Sequence, residues 1–203
     1  SKNKPHKYLI GWINIGTFPF RFYRPSFSSI KSVANMRTEF IAEWINKNNN
    51  QMHNEIYRPN RKYDLVVFSK MMDKKCQEEV KRIKSYGGKV IFDANVNYYE
   101  IWGDYFISGT RPTGEQQADA VWMTENADWV VADSSYIESV ARKYTDKVSW
   151  VPDNVNLDIY KLKRRHQKVD TVTLIWSGVS KKANHLLLIK DVLKELATEK
   201  IKL

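Results

Sequence analysis

The chain has 203 residues, of which 42% are hydrophobic and 28% charged, and this balance excludes an intrinsically disordered protein. Its 33 Lys and Arg against 23 Asp and Glu give a net charge of +10, which favours an anionic partner without choosing among phosphates, nucleic acid and acidic lipid. The single cysteine, Cys76, excludes an internal disulfide, and no apolar run reaches the roughly 18 residues of a membrane-spanning helix, so we expect a cytoplasmic protein.

Short apolar segments rich in β-branched residues recur along the chain and predict strands. They lie at residues 8–15, 55–57, 64–69, 89–94, 129–132, 148–151 and 171–176. Several of them, such as Leu65-Val66-Val67-Phe68, are almost continuously hydrophobic, which is typical of parallel strands that helices cover on both faces. The sequence therefore predicts an α/β fold with a Rossmann-like, doubly wound parallel sheet.

Helical periodicity appears between several of these strands and predicts which side chains face the core. The first helix is predicted to bury Ile30, Val33, Phe40, Ile41 and Trp44, and the second Cys76, Val80 and Ile83 before it stops at Gly87-Gly88. A third is predicted to bury Ile137, Val140, Ala141 and Tyr144, with Ser135 and Glu138 as a capping box, and a long last helix to bury Leu186, Ile189, Val192, Leu193 and Leu196.

Arg37 falls in the middle of the apolar stripe of the first predicted helix. A buried guanidinium needs a partner, because a buried and unpaired charge is very unfavourable. Two arrangements satisfy it. A carboxylate meets it inside the protein, with Asp93 as one candidate, or Arg37 reaches the ligand crevice and holds an anionic group bidentately.

Ligands of parallel α/β sheets bind beyond the carboxyl ends of the strands, so the segments after each strand are the candidate site. Residues 16–25 and 95–106 are loops rich in aromatic and polar side chains. Such loops suit a sugar ring, a lipid or a nucleobase, and equally they suit lids that pack on their own side chains. Asp93 ends a strand and is a candidate base or hydroxyl-orienting group, although an aspartate that braces its own loop is an equal alternative.

The sequence contains no motif for several other kinds of chemistry. The four histidines have no metal-ligand spacing, so no metal is predicted, and the absence of G-x-G-x-x-G gives no support for NAD. No zinc-finger spacing and no RNA-recognition motif is present, so we do not expect nucleic acid as the main partner. Residues 161–168 are polar and basic and predict a linker.

Two passages together resemble a known family. Residues 125–135 read E-N-A-D-W-V-V-A-D-S-S and residues 151–160 read V-P-D-N-V-N-L-D-I-Y, which is similar to the "A-D-x-V-x-x-x-S … I-P-N-G-V-D-x-x-x-F" passage of GT-B glycosyltransferases, particularly the retaining family four. Residues 175–182 are similar to that family's "G-x-x-x-x-K-G" donor motif, and residues 63–68 and 88–93 to strands of its acceptor half. Asn154 and Ala183 stand where the family usually has glycine.

The resemblance implies an enzyme that transfers a sugar from a nucleotide-sugar donor to a saccharide or lipid-linked acceptor in cell-surface polysaccharide synthesis, without a cofactor or metal. It implies an acceptor-binding domain at residues 1–154, a linker at 155–170 and the start of the donor domain at 171–203. The chain is accordingly expected to be a fragment that is inactive alone. The predicted site residues are Asp93 for catalysis, Arg37, Arg21, Asn95 and Trp102 for the acceptor, and Gly16, Lys181 and Lys182 for the donor phosphates.

Two further expectations concern partners. A lipid-linked acceptor would bring the basic, aromatic-rich chain to acidic headgroups, so we expect peripheral contact with the inner face of the plasma membrane. The alternative from another class is a non-catalytic α/β module that binds an anionic ligand or nucleic acid.

Overall fold

The structure, a computed structural model, describes residues 7–14, 37–101, 111–153, 171–178, 180–197 and 201–202, which belong to two compact units. The first unit contains a six-stranded sheet. Its strands are β1 (Tyr8–Ile13), β2 (Met52–Ile56), β3 (Leu65–Ser69), β4 (Lys89–Ala94), β5 (Trp129–Ala132) and β6 (Val148–Trp150). They lie in the order β2-β1-β3-β4-β5-β6, and every neighbouring pair is parallel. The predicted Rossmann-like α/β sheet is therefore confirmed.

Helices cover both faces of this sheet. The helices of the first unit are α1 (Glu39–Asn48), α2 (Lys74–Ser85), α3 (Gly114–Asn126) and α4 (Ser135–Ala141). Apolar residues of α2, α3 and α4 form one core cluster with Phe68, Phe92 and Val130, whereas Ala42 of α1 joins Ile10, Trp12 and Val67 in a second cluster. Because side chains alternate between the faces of a strand, this split buries most of the sheet on both sides and explains its continuous apolar runs.

The strand order places a topological switch point between β1 and β3. The chain passes from β1 outward to β2 and then crosses back to add β3 on the other side of β1. In open α/β sheets a crevice forms beyond the carboxyl ends of the strands at such a point. The residues that follow β1, β3, β4, β5 and β6 therefore lie at one edge, which we call the carboxyl edge.

The burial predicted for the first helix is partly wrong. Trp44 is 66% exposed, and Phe40 and Ile41 are only half-buried, while the small Ala42 is fully buried. Two of the predicted positions, Ile30 and Val33, lie outside the described residues. The helix approaches the sheet through Ala42 because a methyl group permits close packing, and this rotates Trp44 toward solvent.

Two features of the other helices were missed or misplaced. The helix α3 was not predicted, because it buries polar Asp119 and Thr124 beside Ala120 and Met123 and so has little apolar contrast between its faces. The sequence did contain one signal for this helix, a capping box in which Thr113 and Gln116 exchange hydrogen bonds. The N-cap of α4 is Ser134, whose hydroxyl accepts from the Ile137 amide, and not Ser135.

The helix α2 follows its prediction closely. Cys76, Val80 and Ile83 are buried, and the helix gives way to Gly87, whose φ of 88° lies in the left-handed region that favours glycine. Burial raises the pKa of the Cys76 thiol well above its ordinary value, so Cys76 packs as a small apolar residue rather than as a thiolate.

The second unit is described by β7 (Val172–Thr173), a 3-10 helix (Ser180–Ile189), α5 (Lys190–Leu196) and β8 (Ile201–Lys202). The strands β7 and β8 pair in parallel. The predicted strand at 171–176 is shorter, and the predicted long helix is a 3-10 helix over its first ten residues. Ile189 and Val192, predicted to be buried, are exposed, since an apolar stripe is buried only where another layer covers it.

The linker predicted at residues 155–170 lies outside the described residues. Across the part of the chain that the structure describes, no helix has both the length and the apolar character needed to cross a bilayer.

Gly88 gives a test of the packing at the start of β4. A Cβ atom added there would lie 2.8 Å from the backbone oxygen of Tyr63 and 2.8 Å from side-chain atoms of Ile83 and Tyr86, whereas one added at Gly114 meets nothing within 4 Å. We expect Gly88→Ala to lower the free energy of unfolding by about 1–3 kcal/mol, the usual effect of overpacking. The same change at Gly114 is the control and leaves stability unchanged or higher in urea denaturation; equal effects at both sites would contradict the packing.

Candidate functional site at the carboxyl edge

Arg37 and Asp93 form a buried ion pair at the carboxyl edge. Arg37 lies two residues before α1 and is 7% exposed, and Asp93 lies near the end of β4 and is 4% exposed. The guanidinium donates from Nε to Asp93 Oδ1 and Oδ2 at 3.0 and 3.2 Å and from Nη2 to Oδ1 at 2.6 Å. Of the two arrangements left open for Arg37, the internal carboxylate is confirmed, and its partner is the predicted one.

The end of β3 supports Asp93 from the other side. The Ser69 hydroxyl donates to Asp93 Oδ2 at 2.8 Å, and the Lys70 amide donates to the backbone oxygen of Asp93 at 3.0 Å. Lys70 has a φ of 61°, an unfavourable left-handed conformation for a residue with a side chain. Both carboxylate oxygens of Asp93 therefore have donors, which fixes its orientation.

The other side of the guanidinium holds the segment that follows β6. Arg37 Nη1 donates to the Val151 backbone oxygen at 3.1 Å and to Asp153 Oδ1 at 2.8 Å. The Asp153 side chain is 55% exposed, so this contact lies at the rim of the edge. Burial by itself would lower the pKa of Arg37, but hydrogen bonds and charge from Asp93 and Asp153 raise it above its ordinary value.

Asp133 is a third aspartate of this cluster, and the sequence prediction missed it. It directly follows β5 and is half-buried. Burial raises the pKa of Asp133 above its ordinary value; Arg37 and the Ser134 hydroxyl act to lower it, while Asp153 and Asp93 raise it further. The signal was present in the sequence, since the rule that selected Asp93 at a strand end selects Asp133 as well.

Two asparagines also lie at the carboxyl edge. Asn95 follows β4 as predicted for the acceptor side, and its Oδ1 is buried without a hydrogen-bond partner among the described residues. Asn14 follows β1, and its side-chain amide donates to the Thr38 hydroxyl at 3.1 Å, which ties β1 to the start of α1. A buried acceptor without a donor is rare in folded proteins, so Asn95 is a candidate ligand contact.

The aromatic loop after β4 is partly core. Tyr99 is 1% exposed, stacks on Tyr144 with ring centroids 5.8 Å apart, and shares a hydrogen bond of 2.7 Å with the Thr124 hydroxyl. Burial raises the pKa of Tyr99 to about 12. Glu100 anchors the same loop to α4 through a hydrogen bond of 2.8 Å from Tyr136. For Tyr99, therefore, the packed alternative is the correct one.

The structure describes only some of the remaining predicted site residues. Gly16, Arg21 and Trp102 lie outside the described residues. Lys181 and Lys182 lie near the start of the 3-10 helix that follows β7 in the second unit. Among the described residues, no three His, Cys, Asp or Glu side chains are grouped in a way that could hold a metal ion.

Comparisons with known proteins return no match. No family model fits the sequence, and no curated protein and no solved structure matches the chain significantly.

The Arg37–Asp93 pair gives a test of the carboxyl edge. Asp93→Ala leaves Arg37 buried without its main partner, so we expect the free energy of unfolding to fall by about 3–5 kcal/mol. Asp153→Ala removes only the exposed partner of Arg37 and is the control, with an expected loss of at most about 1 kcal/mol. Urea denaturation measures both, and a loss of similar size for the two variants would contradict the buried pair.

At Asp133, by contrast, we expect a substitution to stabilise the protein. Because the pKa of Asp133 is raised, the folded state holds its proton more tightly than the unfolded state does. Ionisation of Asp133 therefore destabilises the fold as the pH rises from the unfolded-state pKa through the folded-state pKa. We expect Asp133→Asn to raise the melting temperature at pH 7 and the gain to vanish in acid, where both states are protonated. Asp146→Asn, at an exposed aspartate that precedes β6, is the control, and a lower melting temperature of Asp133→Asn at pH 7 would disprove the charge crowding.

Proposed function

We propose that the first unit is the acceptor-binding domain of a GT-B-type glycosyltransferase and that its acceptor is a saccharide, free or carried on a lipid. The observation that carries this proposal is a surplus of hydrogen-bond acceptors at the carboxyl edge. Asp93 and Asp153 both pair with Arg37, Asp133 follows the neighbouring strand β5 and is influenced by the charge of all three, and the buried Asn95 Oδ1 has no donor among the described residues.

A ligand that complements this edge must supply donors. Hydroxyl groups do so without adding charge, and neighbouring hydroxyls of a sugar can donate to one carboxylate while accepting from another group. An anionic group, by contrast, would meet three carboxylates around one guanidinium. The chemistry of the edge thus supports a polyhydroxylated acceptor over a phosphate.

Asp93 and Asp133 suit different tasks in such a reaction. The hydrogen bonds that Asp93 accepts from Arg37 and Ser69 hold its carboxylate in one orientation, which supports the hydroxyl-orienting role among those predicted for it. Asp133 is half-buried, and its raised pKa brings it closer to the range in which a carboxylate accepts a proton effectively. We therefore assign the acceptor hydroxyl to the vicinity of Asp133 and Asn95.

The second unit is the proposed donor side. Transfer forms a bond between the acceptor oxygen and the anomeric carbon and breaks the bond from that carbon to the phosphate oxygen, so negative charge develops on the leaving diphosphate. Positive charge must stabilise it in a site without metal, and Lys181 and Lys182, which follow β7, are the residues proposed for this purpose. A lipid-linked acceptor would also account for the net charge of +10 through attraction to acidic headgroups.

One observation favours the alternative of a non-catalytic module that binds an anion or nucleic acid. The net charge of +10 is large for this length, and exposed cations such as Lys81 and Lys84 lie along α2, away from the carboxyl edge. Such a partner would bind elsewhere than at the three aspartates.

Titration of the ¹⁵N-labelled protein separates the two functions. Oligosaccharides, UDP-glucose and short DNA and RNA duplexes are added in turn, and amide shifts are followed. We expect an oligosaccharide to shift residues around Asn95, Asp133 and Asp153, and we expect Asn95→Ala and Asp133→Ala to weaken its binding about tenfold, the loss of roughly one good hydrogen bond. Asp146→Ala is the matched control. Shifts confined to α2 and produced only by DNA or RNA would replace this proposal with the alternative.

A further inference from the structure

Trp150 is the last residue of β6 and brings an indole ring to the carboxyl edge. Its Nε1 donates to the backbone oxygen of Asp133 at 3.1 Å, so the ring lies against the residue that directly follows β5. The next residue, Val151, is held at both of its backbone groups: its amide donates to the Ala132 oxygen at 2.8 Å, and its oxygen accepts from Arg37 Nη1 at 3.1 Å. The position of Trp150 beside Asp133 is therefore fixed by contacts within this edge.

The Trp150 indole leaves a face for a ligand. The residue is 52% exposed, and its hydrogen bond uses the N–H at the edge of the ring rather than the ring face. Among the described residues, no aromatic ring stacks on this indole and no cation lies over it. A tryptophan that is held at its edge and half-exposed offers a rigid apolar surface, and a ligand that binds there orders few additional bonds.

This apolar surface complements the hydrogen-bonding groups of the same edge. A pyranose ring with equatorial hydroxyls has a rim that donates hydrogen bonds and two faces that carry only axial C–H groups. The carboxylates of Asp133 and Asp153 and the buried Asn95 Oδ1 are acceptors that suit the rim, but they offer nothing to a C–H face. Small-molecule sites combine an apolar wall with a few placed polar groups, and Trp150 supplies such a wall next to Asp133.

We propose that Trp150 is the stacking platform of the acceptor site and that the acceptor sugar is a pyranose with an unbroken C–H face, of which a β-glucosyl ring is an example. This inference rests on the proposed saccharide function and names the class of sugar. The sugar ring stacks on the indole while its hydroxyls donate to Asp133 and Asn95. A sugar with an axial hydroxyl on the stacking face is disfavoured, because that hydroxyl would lie against an apolar ring without a partner.

Trp129 is a matched control at the opposite edge of the same two strands. It begins β5, is 44% exposed and donates from Nε1 to the Ser149 hydroxyl at 3.1 Å. Both indoles therefore lie on the parallel pair of β5 and β6, are about half-exposed and are held through Nε1. Only Trp150 lies at the carboxyl edge, so only its loss should affect a ligand bound there.

NMR titration with cellotetraose, whose internal rings carry only equatorial substituents, tests the platform. We expect Trp150→Gln, which keeps a side-chain donor but loses the ring, to weaken binding about five- to tenfold, the contribution of one aromatic contact. Trp150→Phe keeps a ring without the donor and should recover most of the affinity, and Trp129→Gln should leave binding unchanged. In the wild-type complex the ring current of the indole shifts the axial sugar protons upfield, and Trp150→Gln abolishes this shift.

Four results would contradict these expectations, and they fall on different claims. Equal binding by the wild type and Trp150→Gln, with the amide shifts around Asn95 and Asp133 retained, overturns the platform and leaves the saccharide function standing. An equal loss of affinity in Trp129→Gln also overturns the platform. Preference for β-1,4-mannotetraose, which differs from cellotetraose by an axial hydroxyl at C2 of each ring, overturns the class of sugar. Failure of every oligosaccharide to bind overturns the proposed function together with this inference.

Discussion

The buried ion pair between Arg37 and Asp93 is the interaction on which the carboxyl edge depends. A guanidinium in this position is tolerated only because Asp93 accepts from it at 2.6–3.2 Å. Since Asp93 is also held by Ser69 and Arg37 also reaches Val151, the pair connects the start of α1 with the ends of β3, β4 and β6. Four segments distant in sequence are therefore fixed relative to one another by two side chains.

The excess of acceptors follows from this arrangement. One guanidinium pairs with two aspartates, and burial together with their charge raises the pKa of the neighbouring Asp133 above its ordinary value. Such crowding opposes stability, and groups that are unfavourable for folding yet kept at a ligand-binding edge are typical of functional sites. The same crowding underlies the proposed function, because a donor-rich ligand relieves it.

Much of the fold could be predicted from local pattern. The limits of β4 and β5 and the buried face of α2 were predicted from apolar runs and helical spacing, and the need to neutralise a buried charge indicated Asp93 as one candidate partner of Arg37. The orientation of α1 was not, because the depth at which Ala42 packs depends on the strands beneath it. The helix α3 was missed because its buried face includes Asp119. That carboxylate is tolerated there because it accepts a hydrogen bond from Gln77, which lies 42 positions away in the sequence.

The sequence by itself determined that strands lie parallel and that the polar groups after them share an edge, since both follow from connection lengths and the direction of the chain. Only the tertiary structure decided which of those groups meet. Asp153 became a hydrogen-bond partner of Arg37, 116 positions away in the sequence, and Asp133 came to lie near both, because β5 and β6 are added in order beside β4. Charge crowding depends on distance in space, which no spacing in the sequence encodes.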